Sequence, residues 1–310
     1  PGLLGFAPTD SIVAIMLRDD PTHGLHVRCA IRFDVTVTTE EAAHFPATCS
    51  LRAADNAAAV LIAVCDQRHD GHARDLLNAL RDALHTAGIR VLRRLYARDA
   101  TEPGQWLDAD TGDYGDTYPY TDSVLTAQLV HTGERVRASR AELEAEFGPL
   151  PPAPPVEVGD HGELVTSTAR DIADAIAGAP TTSPTLATRA GIVITAHPAL
   201  RDAMLCLAID NPHAGADLWT HLGRRLRGRH RTEALTVAAA CLVLARETVR
   251  AGIALDAALD EAEATHTPTP RLAVMLSTAL RAGIPPSTLR HTLLDGLDRT
   301  AQPDPAPPAD

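Results

Sequence analysis

A proline-rich segment divides this sequence into two parts. Five of the eight residues from Gly148 to Pro155 are prolines. Proline has no backbone N–H and its ring fixes φ, so such a segment cannot continue a helix or form a central strand. We therefore predict one unit over residues 1–148, a linker over 149–159 and a second unit over 160–299. Residues 300–310 are rich in proline, which predicts a disordered tail.

The first unit alternates between strand-like and helical patterns. Residues 11–17 and 27–37 are strand-like and predict a hairpin, and the apolar run at residues 57–64 is typical of a strand buried on both faces. Leucines recur at helical spacing within residues 71–87, and residues 89–96 are again strand-like. Strand, helix and strand at this spacing predict a βαβ unit, and hence an α/β domain.

The segment after residue 99 has no clear hydrophobic periodicity until residue 122. Residues 100–122 are rich in Gly, Asp and Tyr, which predicts a long ordered loop. Two short helices, at residues 122–131 and 139–147, are predicted to close the domain.

The second unit has only helical periodicity, interrupted by Gly or Pro. Short connectors favour antiparallel neighbours, so we predict an all-α array of helical hairpins with a tetratricopeptide-like arrangement. Stacked hairpins present extended surfaces, and a protein partner is predicted to bind this array. The predicted helices are 160–177, 184–195, 198–209, 215–226, 232–248, 252–264, 270–282 and 286–298.

Composition excludes several classes of protein. The sequence contains no Lys, which P-loop, Schiff-base and protein-kinase sites require. A formal charge of -12 argues against a dedicated nucleic-acid binder. Five widely spaced cysteines without a C-x-x-C pair indicate neither a disulfide framework nor a structural zinc site, and no apolar run approaches the roughly 18 residues of a membrane span. We expect a cytoplasmic protein without a cofactor or a bound metal.

One polar cluster follows the apolar strand, where ligands of open α/β sheets bind. Residues 66–72 contain Asp66, His69, Asp70 and His72. Two Asp and two His could bind a divalent metal or serve as acid and base. In the alternative interpretation, which is the commoner situation, Asp70 is an N-cap and the histidines are solvated.

A second polar cluster forms if the first two strands pair. It contains Asp10, Ser11, Arg32 and Asp34, and the turn at residues 5–8 could direct backbone N–H groups towards an anion while Arg32 supplies a bidentate fork. In the structural alternative, Asp10 satisfies turn amides and Arg32 pairs with Asp34 or another acid. The ligand-binding candidates are thus Asp10, Ser11, Arg32, Asp34, Asp66 and His69. No complete catalytic constellation is present, and no catalytic residue is assigned.

A run of arginines at residues 224–231 is the one basic patch of the sequence. It lies where one predicted helix ends and the next begins, and arginine near a helix C-terminus complements the helix dipole. Contact with phosphate is the alternative, which the acidic remainder of the chain disfavours. Trp219, on the preceding helix, is predicted to be a structural anchor in a core of small side chains.

Several motifs carry a resemblance. Residues 3–13, LLGFAPTDSIV, resemble the opening signature of a large actinobacterial family known as domain of unknown function 4192. Segments at residues 123–125, 136–143, 218–226 and 279–286 are similar to that family in the same order, so the resemblance covers nearly the whole chain. It implies no particular activity.

Two functions follow from these patterns. We expect a non-enzymatic interaction or scaffold protein that binds its partner through the helical array. The alternative is an enzyme or a small-anion or nucleotide binder in the α/β unit, using the two polar clusters.

Overall fold

The computed structural model describes residues 1–22, 24–131, 136–180 and 183–301. The chain forms two compact units: unit 1 is Pro1–Glu142 with Arg281–Gly283, and unit 2 is Leu143–Leu280 with the chain from Ile284 onward. The predicted tail lies outside the described residues from residue 302 onward. In the described ranges, no helix has both the length and the apolar character needed to cross a bilayer.

Unit 1 is built, within its described residues, on a mixed sheet of six strands in the order β2-β1-β3-β4-β5-β6. β3 and β4 pair in parallel, and the other neighbours in this order are antiparallel. The predicted hairpin of the first two strands and the predicted βαβ unit are both confirmed. The strands are β1 (Ser11–Asp20), β2 (Gly24–Asp34), β3 (Ala58–Val64), β4 (Arg90–Ala97), β5 (Gly104–Asp108) and β6 (Tyr114–Thr117).

The helices α1 (Thr39–Thr48) and α2 (Asp70–Thr86) pack on one face of this sheet. Leucines on one side of α2, including Leu76 and Leu80, are fully buried in a core with alternate residues of β1 and β3, such as Ile12 and Leu61. Because successive strand residues point to opposite faces, the residues between them face the other side of the sheet.

The predicted loop at residues 100–122 is wrong in part, because β5 and β6 form a hairpin there. The Asp108 carboxylate holds its turn by accepting hydrogen bonds from the amides of Asp110 and Thr111, at 2.8 and 3.2 Å. Gly115 lies against the Trp106 ring, and a Cβ at Gly115 would come within 2.8 Å of that ring. The hairpin therefore depends on pairings that no local period reveals. It is followed by α3 (Val124–His131) and α4 (Arg140–Ala145).

Unit 2 is helical, as predicted, and each predicted helix lies within four residues of an observed one at either end. The helices are α5 (His161–Ile176), α6 (Leu186–Ala196), α7 (Pro198–Cys206), α8 (Pro212–Arg224), α9 (Gly228–Leu244), α10 (Thr248–Ala264), α11 (Arg271–Arg281) and α12 (Pro286–Ala301).

The central element of unit 2 is α9. Its residues from Ala234 to Leu244 are all buried, and it contacts α6, α8, α10 and α12. A helix that is apolar on all sides is typical of such a position. Trp219 of α8 is fully buried, as expected for a structural anchor.

The arginine run is bonded to the proline-rich segment within unit 2. The Leu150 amide donates to the carbonyl of Arg224 at 2.7 Å. The Arg224 Nε donates to the Gly148 carbonyl at 2.9 Å, and Arg227 Nη2 donates to that of Leu150 at 2.5 Å. These contacts support the structural interpretation of the run. The predicted bounds of the linker stay a prediction.

Candidate functional site

The polar clusters of the sequence lie at one edge of the sheet. Strand register aligns Ser11 at the start of β1 with Asp34 at the end of β2 and with Val64 at the end of β3. Val64 is in turn aligned with Ala97, the last residue of β4. This is the carboxyl edge of the parallel pair, where α/β sheets bind ligands.

Arg32 is engaged by its own neighbours at this edge. Its Nε donates to the buried Ser11 Oγ at 2.7 Å, and its Nη2 lies 3.3 Å from an Asp34 carboxylate oxygen. Ser11 Oγ donates to the Thr9 carbonyl at 2.6 Å. The contact with Asp34 is the one that the structural alternative predicts for Arg32, and Ser11 connects Arg32 to the backbone of Thr9.

The structure brings Asp10 to the other predicted cluster. One ligand atom from each of Asp10, Asp66 and His69 lies within 4.8 Å of the others. The His69 Nδ1 atom is 3.3 Å from Asp10 Oδ1 and 3.2 Å from Asp66 Oδ1. Asp10 has a positive φ of 43°, a conformation that Asp adopts more readily than most residues, and it immediately precedes β1.

The His69 Nδ1 atom has an unusual environment. It is closed to solvent and has no hydrogen-bond partner among the described residues, although two carboxylate oxygens are close to it. Hydrogen bonds from Arg68 hold the pKa of Asp66 below its ordinary value, so this carboxylate is ionised at neutral pH. The ring nitrogen therefore faces negative charge without a hydrogen bond to either carboxylate.

The predicted capping role of Asp70 is wrong. Asp70 is the first residue of α2, and the cap position is occupied by His69, which makes no capping hydrogen bond. The Asp70 carboxylate instead accepts two hydrogen bonds from Arg98, at 2.5 and 2.7 Å, which lower the pKa of Asp70. His72 is exposed, as that interpretation expects, and its Nε2 lies 2.8 Å from the Val37 carbonyl oxygen.

A cleft of about 380 Å³ opens beside α2, on the sheet face that α2 covers. It includes Cys65, which immediately follows β3, and Ala97, the last residue of β4. Burial raises the pKa of the Cys65 thiol, and the charges of Asp70, Asp10 and Asp66 raise it further. The cleft and the edge cluster therefore adjoin each other around Cys65.

Three arginines line this cleft. Arg94 of β4 is buried and bonded to Asp110 and Asn78, while Arg98 is bonded to Asp70. Arg74 of α2 is exposed, and no carboxylate among the described residues lies within ion-pair distance of it. Its charge acts on Asp70, whose pKa is lowered first by the hydrogen bonds from Arg98 and then also by Arg74. Arg74 is thus the cleft arginine without a direct carboxylate contact among the described residues.

These cleft residues were not predicted from the sequence, although their spacing carries a signal. Asp70, Arg74 and Asn78 follow each other at four-residue steps and so share one face of α2. Arg94, Tyr96 and Arg98 follow each other at two-residue steps, so their side chains point to the same face of the sheet. These two sets of side chains, one on α2 and one on β4 and its end, face each other because α2 connects β3 to β4 and packs on the sheet that these strands form.

The family model described as Domain of unknown function (DUF4192) matches residues 1–179 and 159–287. The chain belongs to this family. The resemblance of the opening motif and later segments is thereby confirmed. No curated protein and no solved structure matches this DUF4192 protein. The description of the family states no activity, so the function is argued from the geometry of the site.

Proposed function

We propose that unit 1 of this DUF4192 protein binds a small anionic molecule in the arginine cleft. The carrying observation is Arg74, an exposed guanidinium without a carboxylate partner among the described residues, at the rim of a cleft between α2 and β4. A volume of about 380 Å³ lies within the range of small-molecule sites. The sequence also leaves small-anion binding open as an alternative, but at the two polar clusters, of which only Asp70 lines this cleft.

The other two arginines support this site without competing for the ligand. Arg94 and Arg98 are each in direct contact with an aspartate, which fixes their side chains, whereas Arg74 has only the longer-range charge of Asp70. An anionic ligand would give Arg74 the direct ion-pair partner that the other two arginines already have. Asn78 and Gln105, which also line the cleft, supply uncharged hydrogen-bonding groups.

The recognised chemistry is an oxyanion. A guanidinium presents a planar fork of N–H donors that matches the oxygens of a phosphoryl or carboxylate group. Small phosphorylated molecules, including mononucleotides, fit both this chemistry and the size of the cleft. The conclusion concerns binding, and no reaction is assigned.

A thermal-shift panel of inorganic phosphate, mononucleotides and dicarboxylates on the full chain tests this proposal. A ligand that fills the cleft raises the thermal midpoint of the wild-type protein, because it binds the folded state alone. Arg74→Gln should clearly reduce that shift at the same ligand concentration, since a hydrogen bond to a charged group contributes about 1.5 to 3 kcal/mol.

Arg81→Gln is the matched control. Arg81 lies on the same helix, pairs with its neighbour Asp82 and does not line the cleft. It should leave the ligand-induced shift unchanged. Equal shifts in wild type and Arg74→Gln would refute the proposal.

Partner binding by the helical unit is a second proposal. Its support is an exposed apolar spot on α11, where Val274 and Met275 are 48% and 63% exposed. The tetratricopeptide-like arrangement also stays a proposal. Against it, α9 contacts more helices than a helix does in a simple stack of repeats, where each repeat contacts only its neighbours. Met275→Glu should abolish retention of a purified partner recovered from the native host, while Arg271→Glu on the same helix should not. Equal retention by both variants would contradict this proposal.

A further inference from the structure

Asp10, Asp66 and His69 form a three-residue cluster outside the arginine cleft. We propose that these three residues bind a divalent metal ion. The two carboxylates come from different parts of the fold: Asp10 precedes β1, whereas Asp66 and His69 follow β3. The proposal is independent of anion binding in the cleft.

The spacing of the ligand atoms fits a metal centre. Zinc lies about 2.0 to 2.2 Å from His nitrogen and carboxylate oxygen. Two ligand atoms of a tetrahedral ion with such bonds are about 3.3 to 3.6 Å apart. The His69 Nδ1 atom is 3.3 Å from Asp10 Oδ1 and 3.2 Å from Asp66 Oδ1, close to the edges of that polyhedron.

The absence of hydrogen bonds at His69 Nδ1 favours a cation over a simple ion pair. A protonated Nδ1 at these distances should donate a near-linear hydrogen bond to one of the carboxylate oxygens. The atom instead makes no hydrogen bond and has no access to solvent. An unprotonated nitrogen would present a lone pair to two carboxylates, which is unfavourable unless a cation lies between them.

The surrounding charges leave this site anionic. Arg68 bonds to the second oxygen of Asp66, so one positive charge opposes the two carboxylates. Its side chain is 83% exposed, so its effect is screened by solvent. In the part of the chain that the structure describes, the oxygen Asp66 Oδ1 that faces His69 accepts a single hydrogen bond, from the Arg68 amide at 2.9 Å.

The donor set selects the class of ion. Imidazole nitrogen favours zinc and its transition-metal neighbours over magnesium and calcium, which prefer oxygen ligands. Three protein ligands leave one position of a tetrahedral ion open to water. A first-row divalent ion with an open position is therefore expected at this edge.

Isothermal titration of the metal-free full chain with Zn²⁺ tests this inference. The wild type should bind one ion. His69→Gln and Asp10→Asn should each lower the affinity for this ion at least tenfold. Asp10→Asn keeps a side chain that tolerates the positive φ at this position, so it guards against misfolding of the histidine variant. His72→Gln is the matched control, since His72 lies three residues after His69, in the first turn of α2, and contacts Val37 instead of the cluster.

The same variants also separate a metal site from an ion pair. Zn²⁺ should raise the thermal midpoint of the wild type and of His72→Gln, and leave that of His69→Gln unchanged. Wild-type affinity in both His69→Gln and Asp10→Asn would overturn the inference. An equal loss in His72→Gln would overturn it as well, because the ion would then be bound elsewhere.

Discussion

Replacing Glu261 by Gln should strongly destabilise unit 2. Arg231 of α9 is 5% exposed, and its Nε lies 3.1 Å from Glu261 Oε2 of α10. Arg231 also donates to the carbonyls of Phe147 and Gly223, at 2.6 and 3.0 Å. Burial lowers the pKa of Arg231, an effect that the charge of Glu261 opposes. The glutamate is therefore the group that makes a buried guanidinium tolerable.

The magnitude follows from the exposure of the two partners. Breaking a buried ion pair costs about 3 to 5 kcal/mol, because one charge is left buried without compensation. Glu261 is 18% exposed, so water partly replaces it and the lower end, about 3 kcal/mol, is expected. The Gly228 amide, at the start of α9, donates a hydrogen bond to Glu261 Oε1 at 2.6 Å. Gln retains a side-chain oxygen that can accept this bond. The loss therefore reports the charge and not the helix cap.

Urea denaturation of the full chain, followed by tryptophan fluorescence, measures this loss, since Trp219 is buried in the same unit. Glu263→Gln is the matched control, because Glu263 is an exposed residue of the same helix. It should change the free energy of unfolding by less than about 0.5 kcal/mol. A Glu261→Gln variant within about 1 kcal/mol of wild type would refute the argument.

Four further variants test other parts of the fold by their thermal and chemical unfolding. Trp219→Ala should cost about 3 to 5 kcal/mol, because it empties a fully buried position; a wild-type midpoint would contradict this. Gly215→Ala should destabilise by about 1 to 3 kcal/mol, since its Cβ would lie 2.4 Å from that of Ala208, whereas Gly252→Ala, with no atom nearby, should stabilise α10. Burial alone would raise the pKa of Asp108, but the hydrogen bonds its carboxylate accepts lower it overall. Its stabilisation is thus present above about pH 4 and lost as pH falls through the folded pKa, so Asp108→Asn should flatten the acid side of the stability profile.

The helices and the central strands were predictable because their signals are local. Leucines at helical spacing in α2 and the continuous apolar run of β3 each indicate burial without knowledge of the partner. The β5–β6 hairpin has no such signal. It is fixed by Asp108 holding the turn amides and by Gly115 lying on Trp106, and the sequence alone does not indicate either pairing.

The sequence indicated which residues of the Asp10, Asp66 and His69 cluster are candidates, but not that all three lie together. Asp66 and His69 follow a buried strand, which placed them at the carboxyl edge of the sheet. Asp10 was grouped with Arg32 because the two strands were expected to pair. The antiparallel register of β1 with β3 carries Asp10 to His69 instead, and Arg32 is held by Ser11 and Asp34.

The most direct test of the central claim is a calorimetric titration of the full chain with inorganic phosphate at low ionic strength. We predict saturable binding of one phosphate, unchanged in Arg81→Gln and weakened at least tenfold in Arg74→Gln. The affinity should fall as salt is added, because Arg74 is exposed to solvent. No binding by the wild type, or equal binding by Arg74→Gln, would contradict an anion site in the arginine cleft.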